Sequence, residues 1–123
     1  MNINPISLNF AAEVSDIDVR SITNDEFNRV YEAWLTYGVL RIRRQHINED
    51  ELQAFSSRFG PLEEIPMGRL PESERAKIKN RYVTQLSNIL KDGKPIGGLG
   101  NAEASWHSDM TYNPAPPKLT MLY

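Results

Sequence analysis

The sequence contains no cysteine. That excludes disulfides, thiolate metal sites and cysteine nucleophiles, and it fits a reducing compartment such as the cytoplasm. Histidine is nearly as scarce: the two residues are His46 and His107. No apolar run approaches the roughly 20 residues that span a bilayer, so no membrane partner is expected. The opening "MNINPISLNF" lacks a basic stretch followed by an apolar one, and reads as carrying no secretory signal. A basic excess is missing too. Fourteen Lys and Arg against 16 Asp and Glu leave a net charge of −2, so no nucleic-acid partner is expected. Internal repeats and low-complexity segments are also absent.

What is present fits one soluble globular domain. The chain has 123 residues, 40% of them hydrophobic and 24% charged, enough to bury a core. "AAEVSDIDV" (11–19) partly alternates and reads as a short strand and turn. "SITNDEFNRVYEAWLTYG" (21–38) is the clearest helix. Thr23 and Glu26 are spaced for a capping box, and Gly38 stands where a helix stops. Phe27, Val30, Tyr31, Trp34 and Leu35 share one face and are expected in the core. "VLRIR" (39–43) alternates as a strand with its arginines on a polar face. A second helix is expected over 48–59, capped by Asn48 with Glu51 and ended by Gly60-Pro61.

Beyond residue 60 the pattern is mixed. "PESERAKIKN" reads as a surface loop or short helix, "RYVTQLSN" (81–88) as a strand and "KDGKP" as a turn. "IGGLGNAEA" is a Gly-rich loop. It lacks the G-x-x-x-x-G-K-[ST] order of a phosphate loop, and its glycines fit a mobile lid. "ASWHSDMTY" (104–112) and "KLTMLY" (118–123) read as strands. The last of these ends without a polar tail, which implies that the sequence is part of something longer. The fold class is α+β, or a mixed sheet flanked by helices.

In a strand, residues i and i+2 point to one side, so His107 and Asp109 would project together. One imidazole and one carboxylate make two-thirds of the 2-His-1-carboxylate triad that holds non-haem Fe(II) and leaves positions open. On spacing alone zinc is an equal choice, since it also takes His and Asp.

The surroundings of this pair resemble the taurine and phenoxyacetate dioxygenase (TauD/TfdA-like) family, whose members use iron and 2-oxoglutarate. Trp106, His107, Ser108, Asp109, Thr111 and Tyr112 fill that family's W-H-[ST]-D-x-[ST]-[FY] run. Pro116, Pro117, Leu122 and Tyr123 fill its P-P-x-x-x-x-L-[YA] strand. "AEVSDIDV" is similar to the family's G-A-E-V-x-G-I-D-L opening. "YGVLRIRRQHINEDELQAFSSRFGPLE" is similar to its H-G-V-L-V-F-R-D-Q-x-L-T-x-x-x-x-x-x-F-x-x-x-F-G-x-L segment. The resemblance runs from about residue 10 to the last residue, in the family's own order. Ala11 and Asp16 stand where glycines are usual, and Arg44 where an Asp is common.

The resemblance implies the N-terminal helices and first strands of a double-stranded β-helix (jelly-roll, cupin-like) core, incomplete in these residues. Residues 1–123 would form a single partial dioxygenase domain. The implied metal is Fe(II), held by His107, Asp109 and a later histidine, with 2-oxoglutarate as co-substrate. The implied reaction hydroxylates a small anionic organic substrate with O2 and releases succinate and CO2. The family's second histidine ligand, and the arginine that grips 2-oxoglutarate, lie in its C-terminal half and are expected downstream of Tyr123. His46 falls on a non-ligand position and is expected exposed. Asn88, Glu103 and Met110 are candidate substrate contacts. Trp106 is expected in the core. Rival readings are a non-catalytic remnant, a subunit completed by a second chain, and a zinc hydrolase. A homo-oligomer is compatible with all of them.

Overall fold

A computed structural model describes residues 1–65, 72–76, 78–99 and 105–123. The chain divides into two units, Met1–Phe59 and Gly60–Tyr123.

The first unit opens with β1 (Asn2–Ser7) and β2 (Phe10–Ser15), an antiparallel hairpin in which Ser7 pairs with Phe10 and Ile3 with Val14. The sequence reading recognised β2 but missed β1. Pro5 lies within β1, which an edge strand tolerates because one side of its backbone needs no ladder partner. Helix α1 (Asn24–Tyr37) follows, and then β3 (Leu40–Ile42) returns parallel to β2, giving the sheet order β1-β2-β3. A parallel return needs a crossover, and α1 supplies it.

Local chemistry explains the helix ends. The Glu26 N–H donates to Thr23 Oγ1 at 3.2 Å, and the Thr23 N–H donates to Glu26 Oε2 at 3.0 Å. That reciprocal pair satisfies two orphan donors. Gly38, at φ 72°, ends the helix and its N–H donates to the Trp34 carbonyl at 2.8 Å. Helix α2 (Glu49–Ser57) has the same device. The Glu51 N–H donates to Asn48 Oδ1 at 2.9 Å, and the Asn48 N–H to Glu51 Oε2 at 2.8 Å. It stops at Ser57, short of the expected Phe59. There the Arg58 and Phe59 N–H groups bond three residues back, to Phe55 and Ser56, and this tighter turn closes the helix.

Ala12, Val14, Val19, Phe27, Val30, Ala33 and Phe55 form the buried core among the described residues. Fully burying a side chain such as Val30 contributes about 1.5–3 kcal/mol. The Phe27 and Phe59 rings meet edge to face at 4.9 Å, and Trp34 joins through Phe59 at 6.0 Å. Leu35, expected in the stripe, is 59% exposed, and the smaller Ala33 is buried instead. On the other face of the sheet the Glu13 carboxylate accepts Arg41 at 2.7 Å and Arg43 at 3.0 Å, so these arginines occupy the polar face expected of them.

Gln45 latches the end of β3 to the segment before α1. Its Nε2 donates to the carbonyls of Ile17 (2.9 Å) and Arg43 (2.8 Å), and its Oε1 accepts from the Val19 N–H at 3.0 Å.

The second unit carries a short α3 (Glu72–Arg75) and four two-residue strands: β4 (Leu86–Ser87), β5 (Leu90–Lys91), β6 (Lys94–Pro95) and β7 (Gly98–Leu99). β4 and β7 pair in parallel, and β5 and β6 form an antiparallel hairpin. The hairpin turns through Asp92-Gly93, at φ 52° and 73°, the Asp-Gly chemistry of a two-residue turn. The expected strand over 81–88 shrinks to Leu86–Ser87, because its partner β7 is itself two residues long. Gly97 serves close approach. A Cβ there would lie 2.7 Å from the Gln85 carbonyl oxygen and 2.8 Å from Ser87 Cβ.

The described residues thus form a mixed α/β arrangement with a partial sheet. Among them, no helix is long and apolar enough to cross a membrane.

Candidate metal centre

The segment from Ser105 to Tyr123 is not a strand, contrary to the sequence reading of 104–112 and 118–123. Residues 109–112 form a turn, closed by the Asn113 N–H donating to the Met110 carbonyl at 2.9 Å. Met110 takes a left-handed φ of 52°, which breaks the extended geometry that alternation assumed. A left-handed non-glycine residue costs on the order of 1–2 kcal/mol. The expected burial of Trp106 fails with the strand, and its indole is fully exposed.

The two candidate ligands nevertheless meet. His107 Nε2 lies 3.1 Å from Asp109 Oδ1. The other imidazole nitrogen, Nδ1, lies 2.7 Å from the Ser105 carbonyl oxygen. A carbonyl only accepts, so Nδ1 carries the hydrogen and Nε2 is the nitrogen left for a ligand or a second proton. The second carboxylate oxygen is also engaged: Thr120 Oγ1 donates to Asp109 Oδ2 at 2.8 Å. The Ser105 hydrogen bond, and after it the hydrogen bond and charge of Asp109, hold the His107 imidazolium above its ordinary range.

An imidazole nitrogen and a carboxylate oxygen are donor types that divalent cations take. The 3.1 Å contact is the spacing of a hydrogen bond between Nε2 and Oδ1, and the same two atoms are available to a cation when that proton leaves. Neighbouring donors of an octahedral ion with bonds of about 2.1 Å lie about 3.0 Å apart, close to the 3.1 Å seen here. Both side chains are exposed, at 64% and 50%, so the approach is open. Among the described residues no group of three or more His, Cys, Asp and Glu comes together.

The other candidates are placed less tellingly. Met110 is half-buried in the turn beside Asp109. Asn88 is exposed in the link between β4 and β5. Glu103 lies outside the described residues. His46 is exposed in the loop between β3 and α2, as expected. Thr120 was missed by the sequence reading; its only signal is a lone hydroxyl between Leu119 and Met121. A separate open cleft of about 430 Å³ is lined by Glu64, Ile65, Glu72, Arg75, Ala76 and Arg81. Its charges pair among themselves, Glu64 with Arg81 at 3.8 Å and Glu72 with Arg75 at 3.7 Å.

Comparison with known proteins bears on the family of the chain. Residues 2–123 match the family described as "Taurine catabolism dioxygenase TauD, TfdA family". The chain is 32% identical over 127 residues to an alpha-ketoglutarate-dependent 2,4-dichlorophenoxyacetate dioxygenase of Cupriavidus pinatubonensis, covering 97% of this chain and 43% of that one. It is 27% identical over 117 residues to an (S)-phenoxypropionate/alpha-ketoglutarate-dioxygenase of Sphingobium herbicidovorans, covering 95% of this chain and 38% of that one. A solved Burkholderia xenovorans structure, provisionally assigned as an alpha-ketoglutarate-dependent taurine dioxygenase, superposes with a TM-score of 0.51 at 25% identity, over 58% of this chain and 26% of that one. The chain thus spans about two fifths of the length of these curated relatives. With a match running over residues 2–123, the chain belongs to the TauD/TfdA family.

Proposed function

We propose that residues 1–123 are the N-terminal portion of an Fe(II)- and 2-oxoglutarate-dependent dioxygenase, with His107 Nε2 and Asp109 Oδ1 as two of its metal ligands. The observation that carries this reading is their 3.1 Å approach within a chain of this family. The third ligand, a histidine, and the arginine for 2-oxoglutarate come from residues outside these 123. On this reading both units belong to one dioxygenase domain with a jelly-roll core, working in the cytoplasm.

Bound Fe(II), with 2-oxoglutarate and O2, supplies the oxidant for an unactivated C–H bond. The balance is R–H plus O2 plus 2-oxoglutarate giving R–OH, succinate and CO2. The chain's own part is to present one neutral nitrogen and one anionic oxygen from a single short loop. The carboxylate partly neutralises the cation, and the small number of protein donors leaves positions for the co-substrate and O2. The substrate is a small organic acid. Aryloxyalkanoates are favoured because two relatives are named for phenoxy acids.

The test is succinate formation from 2-oxoglutarate by the protein carrying these residues, with Fe(II) and a set of phenoxyacetates, phenoxypropionates and taurine. Turnover with Fe(II), abolished by Asp109→Ala, is expected. Tight Zn(II) binding with no 2-oxoglutarate decarboxylation would overturn the reading in favour of a hydrolase.

A further inference from the structure

We infer that Thr120 is a positioning residue for the Asp109 carboxylate: its hydroxyl occupies Oδ2, so that Oδ1 alone is offered beside His107 Nε2. The inference rests on reading His107 and Asp109 as a metal-binding pair.

The two carboxylate oxygens of Asp109 have separate partners. Oδ1 faces His107 Nε2 at 3.1 Å, and Oδ2 accepts from Thr120 Oγ1 at 2.8 Å. Asp109 is half exposed, so without a fixed partner its carboxylate would turn about the Cβ–Cγ bond and exchange its oxygens. A hydroxyl donated to an ionised oxygen is a short, strong, directional bond. Threonine is also stiff at χ1, so its donor direction is well defined. Thr120 is eleven residues from Asp109 in the chain, so the bond depends on how the segment after Pro117 runs back beside the 105–112 loop.

Each ligand therefore has an outer partner that selects which atom faces the cation. The Ser105 carbonyl selects Nε2 of His107 by engaging Nδ1, and Thr120 selects Oδ1 of Asp109 by engaging Oδ2. The consequence is chemical. A carboxylate bound through both oxygens fills two coordination positions, and one bound through a single oxygen fills one. Holding Oδ2 back keeps a position free for the co-substrate. Thr120 thus acts on how many sites stay open, without touching the metal.

The test uses the whole protein that carries these residues, titrated with Co(II), with variants Thr120→Val, Thr120→Ser and His107→Ala. Valine keeps the shape and removes the hydroxyl; serine keeps the hydroxyl. Loss of an outer-shell partner weakens metal binding by about 10-fold or more, so Thr120→Val should fall by that factor and Thr120→Ser stay within about twofold of wild type. The second readout is the metal-induced infrared difference spectrum, with the Asp109 bands assigned by their absence in Asp109→Asn. The splitting between the antisymmetric and symmetric carboxylate stretches should be wide in wild type and Thr120→Ser, as for a one-oxygen ligand, and narrow in Thr120→Val. Binding and splitting unchanged in Thr120→Val would overturn the inference. So would a loss in Thr120→Ser equal to that in Thr120→Val, which would mark a packing role. If His107→Ala binds Co(II) as wild type does, the metal-pair reading itself falls, and Thr120 with it. His107-dependent binding that ignores Thr120 overturns the inference alone.

Discussion

The guanidinium carbon of Arg58 lies 4.2 Å from the centroid of the Phe27 ring. The same guanidinium donates to the Ile22 carbonyl at 2.9 Å and to Asn24 Oδ1 at 2.7 Å. One side chain at the end of α2 thus grips both the core face of α1 and the backbone that leads into it. Stacking of this kind contributes about 0.5–1 kcal/mol and a charged hydrogen bond about 1.5–3, discounted here because Arg58 is only half-buried. Arg58→Ala should lower stability by about 2 kcal/mol in urea unfolding. Arg58→Lys should recover little of it, since an ammonium cannot stack and fork at once.

Ala11 has a φ of 65°, and it stands where the resembling family usually has glycine. The left-handed region crowds a Cβ by on the order of 1–2 kcal/mol, partly offset by the extra freedom a glycine loses on folding. Ala11→Gly should therefore stabilise the chain by about 0.5–1 kcal/mol, and Ala11→Val should destabilise it. Asp16, at φ 56°, is a useful contrast. Its Oδ2 accepts from Asn2 Nδ2 at 2.7 Å, so Asp16→Gly relieves strain but loses a bond, and should be close to neutral. Chemical unfolding of the three variants checks the ordering.

Asp18 holds Arg20 through Oδ2 at 2.6 Å, and that hydrogen bond, before any other cause, depresses its carboxyl from 3.8 to about 2. A carboxyl depressed in the folded state contributes stability in full above its unfolded value. The contribution is lost as pH falls through the folded one. The stability gap between wild type and Asp18→Asn should thus be constant above about pH 5 and close progressively toward pH 2. The pair is solvent-exposed, so added salt should narrow the gap at neutral pH. Urea midpoints taken across that range, with and without salt, test both statements.

The parts of this chain legible in its sequence are those whose causes are local. Thr23 with Glu26, and Asn48 with Glu51, announce their helices because capping partners sit three residues apart. The pairing of His107 with Asp109 was legible for the same reason of nearness, although the route was wrong: they meet in irregular backbone leading into a turn, where strand alternation was expected. The strand β1 was missed because "NINPIS" has a proline, two asparagines and weak alternation, and its partner β2 defines it. Leu35 was misplaced because helical spacing marks a wide face, while packing against the sheet chose Ala33. Thr120 was not legible at all. Nothing in "KLTMLY" says that its hydroxyl will meet a carboxylate eleven residues back.

Gly97 tests whether the short β4–β7 pairing matters to the second unit. Its missing Cβ leaves room for the Gln85 carbonyl and for Ser87, and backbone cannot retreat as a flexible side-chain end can. An alanine there would have to push Gln85 and Ser87 away by several tenths of an ångström, breaking the register of Leu86 with Gly98 and Ser87 with Leu99. Overpacking of this kind costs about 1–3 kcal/mol. In Gly97→Ala, the backbone amides of Leu86, Ser87, Gly98 and Leu99 should exchange with solvent faster. Those of β1, β2 and β3 should be unchanged, because that sheet belongs to the other unit. Exchange that quickens equally in both units would instead show that the two unfold together, and that Gly97 supports the whole chain.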